Sequence, residues 1–366
     1  MEQACAKGRV AEIDIAKGMA CFLMIAAHFI SARLLPFGTF AAPLFFACSG
    51  MNTILLVERT RDNRRYDLFH LLFPVLLFLG GSTYTVLSHG GRLRLAPGFL
   101  QIIALAVLLL FGLSRIFRNP LHAGLLFPVP FLIQQLLPLS VLRSTQGSPL
   151  AFAVGKDFAL APWLGFFLFG VLLLALKRHF LPWLLAASAA AFVLCHAAAG
   201  VPIHKYWMSS SYIFLSLAAV VLAFAAARLL AGLAARKIFR GLAEFFALPG
   251  RNSLMFIYLH FVALRLFVSV DFLPWFGLYL FFETLYLFFV CFAFLKIYEK
   301  VRHEAALFFP LLAVAAALAV LRWGGLLRPR TDLGAVDVMI GILFAFLYVL
   351  LRRRAAAFCG RGPSLP

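Results

Sequence analysis

The sequence predicts an all-α fold: a polytopic membrane helix bundle of about 10–12 transmembrane helices with its N-terminus in the cytoplasm. Three observations carry that expectation. First, 64% of the 366 residues are hydrophobic and 13% are charged, against about 45–50% and about 25% in an ordinary soluble domain. Second, apolar runs of about 20 residues recur almost end to end, each long enough at about 1.5 Å per residue to cross about 30 Å of hydrocarbon. Third, with the N-terminus inside, 23 of the 33 Lys and Arg residues fall on the cytoplasmic side, the asymmetry that membrane insertion enforces. The net charge of +19 is then a product of topology, and no nucleic-acid partner is expected.

Taken in order, the expected helices span 14–35, 38–57, 68–88, 98–117, 120–142, 158–176, 180–198, 211–235, 252–271, 275–297, 305–322 and 335–351. The first opens with Asp14 and Lys17 ahead of its apolar run and has no small-residue cleavage site, so it reads as an uncleaved signal anchor. The span 120–142 holds Pro128, Pro130 and Pro138, and 180–198 is rich in alanine; these are the least regular. Polar connections are short, the longest at 58–67, 143–157, 201–211 and 247–253. Residues 1–355 form one transmembrane domain and 356–366 a cytoplasmic tail, with "RRRAAAFCGRGPSLP" from Arg352 onward reading as a disordered end. The 42 phenylalanines read as a lipid-facing and packing preference. Six cysteines without CxxC or Cys/His spacing predict neither a disulfide nor a metal site.

An ionisable side chain deep in a bilayer costs at least about 2.5–3.5 kcal/mol on insertion scales. The residues that bear this cost are therefore few: Lys17, His28, His260, Arg265, Asp271 and Glu283, with Asn52, Gln101, Gln134 and Gln135 as neutral companions. Lys17 and His28 are 11 residues apart, so His28 falls about 20° past three full turns and about 16 Å further along the axis. Asp14 lies about 40° off the same line. One helix face thus carries charge at the cytoplasmic surface and an imidazole at depth. That suits a long ligand with an anionic head. It equally suits a lysine snorkelling to headgroups and a histidine satisfied inside the bundle.

"EIDIAKGMACFLMIAAH" (12–28) resembles the opening of the membrane acyltransferase superfamily. This group includes the acyltransferase 3 proteins that O-acylate bacterial glycans and the relatives of heparan-α-glucosaminide N-acetyltransferase. The family pattern is an Asp, an Arg-Gly pair three residues on, and a His or Asn 11 residues after the Arg. Asp14, Lys17-Gly18 and His28 fall on it, with Lys17 departing from the family's Arg. "PLFFACSGMN" (43–52) is similar to the family's second-helix FFxxSG. "FLQIIALAVLLL" (99–110) and "APWLGFFLFGVLL" (161–173) resemble later stretches of the N-acetyltransferase branch. "VPIHKYWMSSSYIFLSLA" (201–218) does too, with His204 for Asn and one residue fewer before Trp207. "PGRNSLMFIYLH" (249–260) is similar to a late element of both branches. The matches run in order from residue 9 to about 260.

The resemblance implies transfer of an acyl group, acetyl being the expected one, from cytoplasmic acyl-CoA to a hydroxyl or amine of an extracytoplasmic glycan or glycolipid. The protein would sit in the inner membrane if bacterial, in contact with lipid, and would need no metal. Under it, His28 is the candidate general base or acyl acceptor. Glu283, alone in its helix, is the candidate to orient His28 or His260, or to pair with Arg265. Lys17, Asp14, Ser49, Asn52, Arg251 and His260 are candidates for holding acyl-CoA; Trp163, Lys205 and Trp207 for holding the acceptor. A polyanionic donor would be drawn to a basic inner mouth of Lys17, Arg59, Arg61, Arg64, Arg65, Arg240 and Arg251. Two rivals remain. A proton-coupled transporter or lipid flippase would use the same buried ionisable residues, though no internal repeat is visible. A non-catalytic partner in a glycan-assembly complex would use none of them.

Overall fold

Prolines and glycines set where the helices stop and how closely they meet. A computed structural model of the chain describes residues 10–29, 39–88, 97–145, 148–155, 158–205, 207–267, 278–301, 310, 313, 317 and 333–358. Among the described residues the fold is all-α, with no strand. In chain order α1 spans Ala11–Phe29, α2 Ala41–Thr60, α3 Arg65–Ser88, α4 Phe99–Ile116, α5 Pro120–Leu125, α6 Pro128–Leu136 and α7 Leu139–Ser144. Then come α8 Leu160–Ala175, α9 Leu181–Val193, α10 Ser210–Leu233, α11 Lys237–Arg251, α12 Ser253–Phe267, α13 Leu278–Val301 and α14 Leu333–Phe358. Four helical stretches among the described residues are long and apolar enough to cross a membrane: α2, α4, α10 and the run Arg178–Ala198 that contains α9.

Three expectations are corrected. The span 120–142 is not one helix; α5, α6 and α7 replace it. Pro120 and Pro128 open α5 and α6 at the first helical position, where a missing N–H removes no helical hydrogen bond. Asn119 caps α5, its Oδ1 accepting from the Leu121 N–H at 3.0 Å. Residues 237–251, expected to connect two spans, form the amphipathic helix α11, which buries Ala243, Ala247 and Leu248 and exposes Lys237, Ile238 and Arg240. Finally, α14 does not stop at 351. It runs through Arg352–Arg354 to Phe358, because "LLRRRAAAF" is all helix-favouring residues with no glycine or proline until Gly360. The boundary expected after residue 355 therefore falls inside a helix. The span 305–322 lies outside the described residues except for positions 310, 313 and 317.

Two interfaces hold the bundle most tightly. Along α1 and α11, a Cβ on Gly18 would overlap the carbonyl of Phe246, and one on Gly250 the carbonyl of Asp14. Along α2 and α8, a Cβ on Gly50 would overlap the Phe167 carbonyl and one on Gly170 the Ala47 carbonyl. Such backbone-to-backbone contact needs small residues, and it is how helices associate where lipid removes the hydrophobic drive. Phenylalanine fills the spaces between. Phe99 meets Phe45 and Phe46 edge-on, at 5.7 and 5.3 Å between centroids, an arrangement that adds about 0.5–1.5 kcal/mol per pair beyond burial.

Candidate functional site

One end of the bundle gathers the start of α1, the end of α2, the start of α3, the junction of α11 and α12, and the end of α14. Between them lies a cavity of about 260 Å³. Asp14, Lys17, Ser49, Asn52 and Arg251, five residues singled out from the sequence, all line it. Their helices explain why. Asp14 and Lys17 are one turn apart on α1. On α2, Ser49, Asn52, Leu56 and Arg59 recur at helical spacing and present a single stripe to the cavity. Further from this end the wall is apolar, with Phe45, Leu77, Leu100 and Ile103. Arg59 and Phe45 are 14 residues apart on one helix, so the cavity reaches about 20 Å along α2.

The mouth is cationic. Lys17, Arg59, Arg251, Arg352 and Arg353 line the cavity, and among the described residues they face one lining carboxylate, that of Asp14. This set differs from the expected one. Arg61 is drawn to the end of α4, donating from Nη1 to the Arg118 carbonyl at 3.0 Å. Arg64 and Arg240 are exposed away from the cavity, and the side chain of Arg65 lies outside the described residues. Arg352 and Arg353 take their place from a helix end that the sequence presents as tail.

Arg251 is held by carboxylates. Its Nη1 donates to Glu244 Oε2 at 3.1 Å and its Nη2 to Glu244 Oε1 at 2.5 Å, a bidentate pair. Its Nε lies 3.4 Å from Glu299 Oε1, which also accepts from Asn252 Nδ2 at 3.2 Å. Lys296 Nζ stands 3.7 Å from Glu244. Burial pushes the Glu244 carboxyl upward, but Arg251, aided by Lys296, outweighs that and holds it below the usual carboxylate range. The pair therefore stabilises the fold fully above the unfolded-state value, and the contribution is lost as pH falls through the lower folded-state value. Glu244→Gln should flatten this acid limb: the wild type loses stability below roughly pH 4.3, and the variant has no such pair to lose. With the Glu244 side chain 40% exposed, solvent screening keeps the effect to about 0.2–1 kcal/mol. Unfolding midpoints measured against pH check it.

His70 was missed from sequence. It sits on the cavity wall, buried, with its ring stacked on Phe111 at 5.0 Å. The Thr60 hydroxyl donates to the Leu56 carbonyl at 2.8 Å and lies 2.7 Å from His70 Nε2. Its neighbourhood, "RDNRRYD" (61–67), reads as surface; the available signal was Phe69, His70 and Phe73 one turn inside α3, on the face that meets α2.

The remaining candidates whose side chains are described lie elsewhere. Trp163 is 1% exposed, packed between Phe46 and Phe158 at 4.9 and 5.1 Å. It is a core residue of the α2–α8 contact. His260 is fully buried on α12, its ring parallel to Phe256 and its Nδ1 3.3 Å from the Phe256 carbonyl; it is not on the cavity wall. Lys205 and Trp207 are half-buried in the loop before α10. That loop is fastened by Ser209, which accepts from the N–H groups of His204 and Tyr212 at 2.9 and 3.3 Å. Tyr212 donates to the Thr39 carbonyl at 2.9 Å, just before α2 begins, so the loop lies at the end of the bundle opposite the cationic mouth. The backbone of α1 is unbroken from Lys17 to His28, and Glu283 lies in α13. The side chains of both His28 and Glu283, with Arg265 and all of Asp271, lie outside the described residues.

No protein-family model matches the chain, and no curated protein matches it.

Proposed function

We propose that this chain is an integral membrane acyltransferase that takes an acyl group, acetyl above all, from cytoplasmic acyl-CoA. It passes that group to a hydroxyl or amine of an extracytoplasmic glycan or glycolipid. One observation carries the reading: residues far apart in sequence, chosen for their likeness to acyltransferase motifs, line one cavity with a cationic mouth and an apolar depth. A cationic mouth attracts phosphates, and a narrow apolar passage suits the pantetheine arm and its thioester. The excess of Lys and Arg at this end of the predicted topology supports its lying in the cytoplasm.

The chemistry follows from α1. His28 removes the proton of the acceptor O–H or N–H as that atom attacks the thioester carbonyl carbon. The new C–O or C–N bond forms, the C–S bond breaks, and the sulfur of CoA leaves as thiolate and takes up the proton. Lys17, three turns back, balances charge on the donor. A lysine there gives a point charge in place of the bidentate fork of an arginine.

The test is transfer of labelled acetyl from acetyl-CoA by the purified chain in lipid discs to a crude glycolipid fraction. The reading requires label in the glycolipid and free CoA in proportion. Lys17→Ala should raise KM for acetyl-CoA by roughly tenfold with a smaller effect on kcat. Proton flux dependent on a solute, without consumption of the thioester, would replace the enzyme with a transporter.

A further inference from the structure

The two arginines that α14 brings to the mouth have no counterpart in the sequence-level account of the site. We infer that Arg352 is the phosphate anchor of this cavity, gripping a nucleotide-bearing ligand, and that Arg251 is not. The inference rests on the acyl-CoA reading above and extends it to a helix outside the stretch of resemblance.

The two arginines differ in what already holds them. Arg251 spends its guanidinium on Glu244 and Glu299. Arg352 has no carboxylate paired with it among the described residues, and its buried Nε has no hydrogen-bond partner among them. What supports its head is a ring: the guanidinium carbon lies 5.7 Å from the Phe69 centroid. A guanidinium laid against an aromatic face keeps its plane fixed and its edge donors free, the geometry that matches phosphate bidentately. A half-buried cation with unsatisfied donors is costly, and an anion in the cavity would remove that cost.

The surroundings say which anion. Phe69 and Phe73 pack with centroids 4.5 Å apart and planes tilted by 36°, and Phe73 meets Tyr348 edge-on at 5.6 Å. All three line the cavity next to Arg352, with Arg353 and Arg59. Aromatic rings beside arginines make a platform for a base and its phosphates together. The apolar passage toward Leu77 and Leu100 then takes the unphosphorylated remainder of the ligand.

Phosphate could also come from a lipid headgroup, and the experiment separates the sources. The full chain is placed in discs of phosphatidylcholine, and binding of CoA and of pantetheine, which carries no phosphate, is measured by calorimetry. Arg352→Ala should weaken CoA roughly 10- to 100-fold and leave pantetheine unchanged. Arg352→Lys should recover part of the loss, and Arg251→Ala should lower the unfolding midpoint while weakening CoA less than Arg352→Ala does. The proposal is overturned if Arg352→Ala binds CoA as the wild type does, or weakens CoA and pantetheine equally, as a purely structural residue would. It is also overturned if the variant keeps its CoA affinity and instead retains less phosphatidylglycerol through purification. A wild type that binds neither CoA nor pantetheine sinks the acyltransferase reading itself. A wild type that binds both with equal affinity sinks only the anchor.

Discussion

His28→Ala is expected to cut acyl transfer by about 10²–10⁴-fold while CoA still binds, because positioned proton transfer is worth that much and the cationic mouth lies three helical turns away. The separation matters for interpretation. Lys17 and His28 share α1, an uninterrupted helix, so an alanine at 28 leaves Asp14 and Lys17 in register. The loss should fall on kcat, with KM for acyl-CoA little changed, the pattern of an interaction made at the transition state. A general base must be unprotonated to act, so transfer by the wild type should rise with pH across a single ionisation. The variant should lose that limb. Acid quench of the wild type with acetyl-CoA alone distinguishes the two roles of the ring: label on the protein means an acyl-histidine, and none means direct attack. A variant that transfers acetyl at the wild-type rate would remove His28 from the chemistry.

Gly250→Leu should have the largest effect on the fold. A Cβ alone at this position would overlap the carbonyl of Asp14 and press on the Gly18 N at 3.0 Å. These are backbone atoms of α1, which cannot turn aside as a flexible side chain does. Overpacking of a tight contact costs about 1–3 kcal/mol and occasionally more; a four-carbon side chain against helix backbone belongs at the upper end, at about 3 kcal/mol or beyond. The outcome is a lowered unfolding midpoint in detergent and a loss of CoA binding, since pushing α11 from α1 opens the wall shared by Asp14, Lys17 and Arg251. Gly241→Leu on the same helix, where an added Cβ meets nothing within 4 Å, is the matched control and should behave as wild type. Equal stability of the two variants would contradict the packing described for α1 and α11.

Much of the fold was legible because hydrophobic runs of membrane length leave few alternatives. What misled was local. Pro128 and Pro130 weaken a helix signal, but whether a proline kinks a span or begins a new helix depends on what surrounds it, and here Pro120, capped by Asn119, and Pro128 each begin a new one. The stretch at 237–251 looked like a connection because its charge is high; its apolar residues keep a helical period that a hydropathy average flattens. Within the site, Asp14, Lys17, Ser49, Asn52 and Arg251 could be found one helix at a time, since each sits at a regular interval on a face. Trp163 could not be judged that way. An aromatic near a helix start looks the same in sequence whether it is exposed or, as here, buried against Phe46 and Phe158. His70, Arg352 and Arg353 reach the cavity by tertiary packing of α3 and α14, which no single stretch of sequence encodes.

The first helix and the last are both walls of the same cavity. A growing polypeptide that has inserted α1 but not yet α14 therefore lacks the enclosed cavity, whatever the order in which the intervening helices settle. A chain truncated before residue 333 would lack Tyr348, Arg352 and Arg353, and with them one wall and two of the cations of that cavity.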